Sequence, residues 1–423
     1  MPVIERLTGR EILDSRGRPT VEATCALRGG AVASASVPSG ASTGKAEALE
    51  LRDGDPTRYR GLGCRKAAGH LGGLIHDEAR GREFDNQTDF DRLLIELDGT
   101  PNKSRLGANA ILAASIAFAR ASATEAGLPL WRQFANIAGC EPSALPRLTI
   151  NLFSGGKHAG QQVSIQDVLI VPVAATTIDQ TLTAAYDVYQ SAAALVLERY
   201  GMRLLRADEG GMAPPCGTPK EMIELALEAI EAAGYHTRSE VNLAVDVAST
   251  HFHSCEVYRL GDEVLTSHRM IEQVAEWVRS YPIVSVEDAL AEDDWNSWPK
   301  LLSQIGDQAL VVGDDLLCTN PARIRRAIAE RSCNALLLKV NQIGTLTEAA
   351  EARRLARDAG WQVTISVRSG ETEDNWAADL AVGWAGDQFK NGSITQSERL
   401  SKYNRLLQIE NDTGLPVNPW PAK

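Results

Sequence analysis

Three acids in the second half of the chain share one setting. Asp246, Glu287 and Asp314 each stand at the end of a short apolar run: LAVDVA at 243–248, PIVSVED at 282–288 and ALVVGDD at 309–315. Alone, each reads more readily as a helix N-cap or a surface carboxylate than as a ligand. Gathered at the ends of neighbouring buried strands, three carboxylates repel one another unless a cation neutralises them. Oxygen-only ligands suit Mg²⁺, which keeps its other coordination positions for water and substrate.

Two lysines follow. Lys339 lies inside LLLKVN, with apolar neighbours on both sides, so it points into the interior or snorkels at a rim. Burial and a nearby cation would lower its pKa and make it a general base. Lys390 in QFKNG opens the last unit and is suited to binding an anion. The alternative for both is a solvated rim charge. Asp208-Glu209-Gly210-Gly211 is an acid pair on a glycine turn, where glycines permit close backbone approach. Asp167 reads as the end of a run in SIQDVLIV. With Glu209 it suggests the paired carboxylates of an acid catalyst, one raising the other's pKa. The segment 38–46, PSGASTGKA, falls short of a phosphate-binding P-loop, because the Gly spacing is one residue too small and Ala46 stands where Ser or Thr is required. It reads instead as a Gly/Ser loop that closes over a ligand.

The elements that must position these residues show two rhythms. Residues 20–27 and 31–37 alternate as strands and are joined by Arg28-Gly29-Gly30, a hairpin signal. The alanine-rich stretch 106–126 has helical spacing and stops at Gly127-Leu128-Pro129. Residues 1–138 thus read as an α+β domain, followed by a linker at Pro142 to Pro146. From 139 to 423 apolar runs recur, each ending in a polar residue and followed by a helix-length segment. NALLLKV at 334–340 and VTISVRS at 363–369 join the three acid-bearing runs. Starts lie about 25 to 40 residues apart, the length of one βα unit. Near-continuous apolar runs mark buried parallel strands. Polar residues at one strand end after another are how a (β/α)₈ barrel builds its site. An open doubly wound sheet is the competing reading.

Composition narrows the function. The 423 residues are 44% hydrophobic and 23% charged, with a net charge of −12, which suits a soluble globular protein of two domains. The acidic balance argues against nucleic-acid or anionic-membrane partners, while leaving a local cationic cleft possible. Seven scattered cysteines with no CxxC pair read as reduced cytoplasmic thiols. The stretch at 108–119, ANAILAASIAFA, is too short to cross a bilayer.

Taken together, REILDSRGRPTVE, VPSGASTG, LDGTPNKSRLGANAIL, DEGG, YPIVSVEDALAEDDW, VGDDL, KVNQIGTLTEA, RSGETED and SERLSKYNRLLQIE resemble enolase, the glycolytic phosphopyruvate hydratase, across nearly the whole chain. The resemblance implies an α/β fold in which a small N-terminal α+β domain caps a C-terminal modified (β/α)₈ barrel. It implies two Mg²⁺ per site, with Asp246, Glu287 and Asp314 holding the tighter ion and Ser39 contributing to the second. Lys339 resembles the base that removes the C2 proton, Lys390 a stabiliser of the enediolate, and Glu209 the acid that assists departure of the C3 hydroxyl. Arg368 and Ser369 resemble a phosphoryl clamp, His158 lies on a second closing loop, and Gln166 borders the substrate. The resemblance also implies a homodimer or an assembly of dimers.

Departures cluster at the substrate's phosphoryl and hydroxyl ends. Asp167 stands where the family carries Glu, Val367 where it carries His, Lys157 and Ser154 where it carries Ser and Asn, and Ala289 where it carries Pro. Losing an imidazole and gaining a loop cation suits a substrate with an additional acidic group on phosphorus. These changes suggest a relative similar to carboxyphosphonoenolpyruvate synthase, acting on a phosphonate analogue of 2-phosphoglycerate. The alternatives are an ordinary glycolytic enolase and an inactive enolase-like binding protein.

Overall fold

A computed structural model describes residues 1–41, 43–201 and 205–421. Strands β1 (Ile4–Leu13), β2 (Pro19–Leu27) and β3 (Val32–Ser36) form an antiparallel meander, with the β2–β3 hairpin turning where the glycines stand. The alanine-rich helix Ala108–Glu125 packs on β2 and β3. Its small side chains bury nearly all round, so it lies close against the sheet, while Phe84, Phe90 and Phe118 fill the wider gap with ring centroids 4.5 to 5.7 Å apart. Helices Gln87–Asp98 and Leu130–Ala138 complete this part.

The rest of the chain supplies β4 (Arg147–Ser154), β5 (Asp167–Pro172) and β6 (Val241–Asp246), a small excursion β7 (His253–Ser254), β8 (Val257–Leu260) and β9 (Glu263–Leu265), then β10 (Ile283–Glu287), β11 (Leu310–Gly313), β12 (Ala335–Leu338), β13 (Gln362–Ser366) and β14 (Gln388–Lys390). Eight of these close into a barrel in the order β10-β11-β12-β13-β14-β4-β5-β6, which eliminates the open-sheet alternative. Strands β4, β5 and β6 are buried along their whole lengths, as strands covered by helices outside and side chains inside must be.

One strand departs from the simple βα rhythm. β5 runs antiparallel to both β4 and β6, and two helices, Ile178–Tyr200 and Pro219–Ala232, separate β5 from β6. Asp167 therefore does not end a strand, as its run suggests; it begins one. Because that strand is reversed, its first residue lies at the rim where the other strands end, opposite Asp246 in the ladder.

The N-terminal elements are docked on that rim. Ser39 and Gly370 exchange two backbone bonds of 2.8 and 3.0 Å, Ser36 Oγ meets Thr372 Oγ1 at 2.7 Å, and buried Asp91 accepts from Thr347 N and Oγ1. Among the described residues no helix is long and apolar enough to cross a membrane. All seven cysteines are free.

Candidate active site

Register sets the floor of the site. Glu287 pairs with Asp246 across the β6–β10 ladder and with Val312 across the β10–β11 ladder, so Asp314 stands two residues nearer the rim. All three acids are buried. Lys390 Nζ bridges two of them, donating to Asp246 Oδ2 at 2.8 Å and Glu287 Oε2 at 2.7 Å. Lys339 Nζ pairs with Asp314 Oδ2, whose other oxygen accepts from Gln342 Nε2 at 2.8 Å. Gln166 Nε2 donates to Asp246 Oδ2 at 3.2 Å. Glu287 Oε1 is buried with no hydrogen-bond partner.

Two groups of side chains, among the described residues, bring potential ligand atoms within 4.8 Å of one another: His158 with Asp167 and Glu209, and Asp288 with Asp314 and Asp315. Neither is the trio read from sequence, whose carboxylates stand against the two lysines. Asp288 is committed locally: it accepts from Asp314 N at 2.9 Å and Asp315 N at 2.7 Å, and so fixes the turn that presents Asp314. Burial first, and then Asp314, push Asp315 up to about 7.

Lys339 is half-buried and follows the last residue of β12. Burial works against its charge as expected, but the carboxylates around it, Asp314 first and then Glu287, together hold the lysine above its ordinary value rather than below. Several carboxylates at close range together override desolvation.

Across the barrel lies a second constellation. His158 Nδ1 meets Asp167 Oδ2 at 3.0 Å and its Nε2 lies 3.8 Å from Glu209 Oε1. Ser154 Oγ donates to Asp167 Oδ1 at 2.6 Å, and Asn151 Nδ2 donates to Glu209 Oε2 at 3.1 Å. Burial opposes the imidazolium, but Asp167 and Glu209 outweigh it and raise His158 to about 9. Burial raises Asp167. Glu209 moves the other way: burial would raise it, yet His158, Arg399 and Lys390 pull it below its ordinary value. One carboxylate of the pair is thus raised, Asp167, with Glu209 among the causes, while Glu209 itself is lowered because a histidine stands between them.

Residues 38–41 and 43–46 pack over the rim. Gly44 packs so tightly that a Cβ there would fall 2.5 Å from Cys318 Sγ and 3.1 Å from Asp315 Oδ1. Arg368 is buried, and its guanidinium meets Glu47 Oε2 at 3.0 Å, Glu47 Oε1 at 3.2 Å and Asn341 Oδ1 at 3.0 Å. Ser369 Oγ accepts from Ala41 N at 2.9 Å and from Arg16 at 3.2 Å. Ser39 does not face the acids: its hydroxyl donates to Glu50 Oε2 at 2.9 Å and accepts from Arg52 at 2.7 Å. The same loop's Ser42 lies outside the described residues. Val367 is buried immediately before Arg368. Lys157 is exposed on the turn Gly156–His158, and after burial it is the main influence that pushes His251 down to about 4.

The site also uses residues that the sequence reading passed over. Asn341 and Gln342 directly follow Lys339 and Val340, and Asp288 directly follows Glu287, so adjacency to the chemical residues was an available signal. Glu47 carried none, since nothing in its spacing points to Arg368.

The chain matches two family models: the enolase N-terminal domain over residues 4–134 and the enolase C-terminal TIM barrel domain over residues 142–418. It is 47% identical over 414 residues to the protein named Enolase 1 of Methylococcus capsulatus, covering 97% of each chain. With both domains matched in order on a closed barrel that gathers the strand-end acids, lysines and the histidine relay, the chain belongs to the enolase family of hydro-lyases.

Proposed function

We propose that the protein dehydrates 2-phosphoglycerate to phosphoenolpyruvate, as an ordinary enolase. The observation that carries this is a base and an acid relay on opposite sides of one acid-floored cleft. In the barrel order β12, which presents Lys339, is four strands from β5, which presents Asp167, and in a ring of eight that is diametrically opposite. A substrate seated between them loses its C2 proton to one face and its C3 hydroxyl from the other. Relatedness along the full length to a protein named Enolase 1 supports the same reading over a phosphonate specialisation.

In this reading Lys339 Nζ takes the C2 proton once the Asp314 charge is otherwise neutralised. The electron pair passes into the substrate carboxylate, and Lys390 faces the growing charge. The C3 hydroxyl leaves as water with a proton from the His158–Glu209–Asp167 relay, and the C2–C3 double bond forms. Arg368 and Ser369 bind the phosphoryl group, with Gln166 bordering the cleft. The donor set fits Mg²⁺: all oxygens, with Glu287 Oε1 buried and unpartnered. Asp246, Glu287 and Asp314 would hold it, and when bound it supplies charge neutralisation for the substrate carboxylate. A second ion rests on the family resemblance and not on Ser39, whose hydroxyl is engaged elsewhere.

The division into a cap at 1–138 and a barrel at 139–423, a dimeric assembly and a cytoplasmic setting with reduced thiols belong to the same proposal. A second reading, the phosphonate analogue, is favoured by two observations. Val367 places an apolar wall beside Arg368, and the shorter Asp167 is drawn toward His158 and Ser154. Steady-state assays of the purified protein with 2-phosphoglycerate and with its phosphonoformyl analogue, in Mg²⁺ and in EDTA, separate them. Turnover of the analogue alone overturns the main reading, and undiminished turnover in EDTA overturns the metal assignment.

A further inference from the structure

The turn that presents the phosphoryl clamp lies beyond the end of a strand. β13 ends at Ser366, and the chain runs irregularly until the helix Trp376–Gly383 begins. Its support comes from the far side, from the C-terminal helix Ser397–Thr413. Arg399 on that helix is completely buried, and its guanidinium donates to the carbonyl oxygens of Arg368 and Ser369, both at 2.8 Å. One turn on, buried Lys402 donates to the carbonyl of Thr372 at 2.9 Å and pairs with Glu371 Oε2 at 3.0 Å, while Glu371 Oε1 accepts from Arg368 N at 3.2 Å. The helix reaches the acid relay too. Asn391 Nδ2 donates to the Arg399 carbonyl and Tyr403 Oη to that of Gly392, and a Cβ at Gly392 would fall between Arg399 Cδ at 3.1 Å and the Glu209 carbonyl at 2.9 Å.

We propose that Arg399 is a positioning residue for the phosphoryl clamp, acting through the backbone of Arg368 and Ser369. The inference rests on those two residues binding the phosphoryl group. Burying a guanidinium is costly, and an apolar side chain would fill the same space at less expense. What an apolar residue cannot do is satisfy two consecutive carbonyls at once. The rigid, planar fork holds both peptide groups in a fixed relation, and so sets the directions in which the Arg368 and Ser369 side chains leave the chain. On the opposite side of the same turn, Gly370 is paired with Ser39 of the closing loop. The fork therefore also sets where that loop lands.

The test uses the full-length protein and three variants: Arg399→Lys, whose single ammonium cannot reproduce the fork; Arg399→Met; and Glu371→Gln. Each is measured for thermal unfolding, for kcat and KM with 2-phosphoglycerate, and for inorganic phosphate affinity by calorimetry. A clamp that grips the phosphoryl group equally in ground and transition states affects KM and not kcat. The expected result in Arg399→Lys, which keeps the charge that acts on Glu209, is a rise of about tenfold in both KM and the phosphate dissociation constant, with kcat changed by less than about threefold, and Arg399→Met shows the same rise in both constants. Glu371→Gln shifts the same two quantities in the same direction. Folded Arg399 variants with wild-type KM and phosphate affinity overturn the proposal, as does a fall in kcat at unchanged KM. If Arg399→Met does not fold, Arg399→Lys and Glu371→Gln decide by the same criteria. Should the wild type prove inactive on 2-phosphoglycerate, phosphate binding still judges Arg399, so the two readings fail separately.

Discussion

Lys390→Met removes the ammonium that stands between Asp246 and Glu287 and keeps a side chain of similar length. The lysine lies 2.8 and 2.7 Å from the two carboxylates. At an effective dielectric constant of about 20, each contact supplies about 6 kcal/mol of attraction. Desolvating the lysine offsets several kcal/mol of that, and removing one member of a buried pair costs about 3–5 kcal/mol. With about 2 °C of melting temperature per kcal/mol for a large domain, the variant should melt roughly 6–10 °C below wild type in EDTA. Saturating Mg²⁺ should recover more of that loss in the variant than it adds to the wild type, since a cation among the same acids replaces the missing charge. Scanning calorimetry of both proteins in EDTA and in Mg²⁺ measures both effects. Equal melting in EDTA would refute the reasoning that this ammonium neutralises the floor of the site. Equal Mg²⁺ shifts would refute the assignment of those acids to the metal.

Lys339→Ala should abolish exchange of the substrate C2 proton with solvent while the fold persists; exchange at the wild-type rate, followed by NMR in D₂O, assigns the base elsewhere. Val367→His with Asp167→Glu should raise kcat/KM on 2-phosphoglycerate by about tenfold, because a carboxylate about 1 Å out of place costs up to 10²-fold; no gain would show that neither position limits the reaction. His158 has its folded pKa raised from 6.5 to about 9, so its protonated form stabilises the fold fully below about 6.5, and that contribution is lost as pH rises through about 9. The melting-temperature gap between wild type and His158→Gln should narrow over that window, and a constant gap would show that the Asp167 pairing is not what protonates it.

The strand-end acids were legible because each ends an apolar run, and an apolar run that stops at a charge marks both a buried strand and its exit. Lys339 was legible for the same reason. The Gly/Ser loop was legible from composition, although its partners were not. Asp167 was misread: in sequence it adjoins an apolar run as the other acids do, and only strand direction distinguishes beginning from end. β5 is reversed because β4 returns to it through residues 155–166 without a crossover helix, and no local pattern announces that.

Local pattern and motif thus determined the family and the barrel, and singled out the candidate site residues. Tertiary structure alone decided how those residues meet. It placed Lys390 between two acids, His158 between two others, Glu47 on Arg368 and Arg399 behind the clamp, pairs separated by up to 321 residues. It also set the pKa directions, raising Lys339 where a lowered value was expected and lowering Glu209 while Asp167 rises. The physical reason is that a pKa in a dry interior is set by the balance between burial and the charges within a few ångströms, and both are properties of the closed barrel and not of any one segment of the chain.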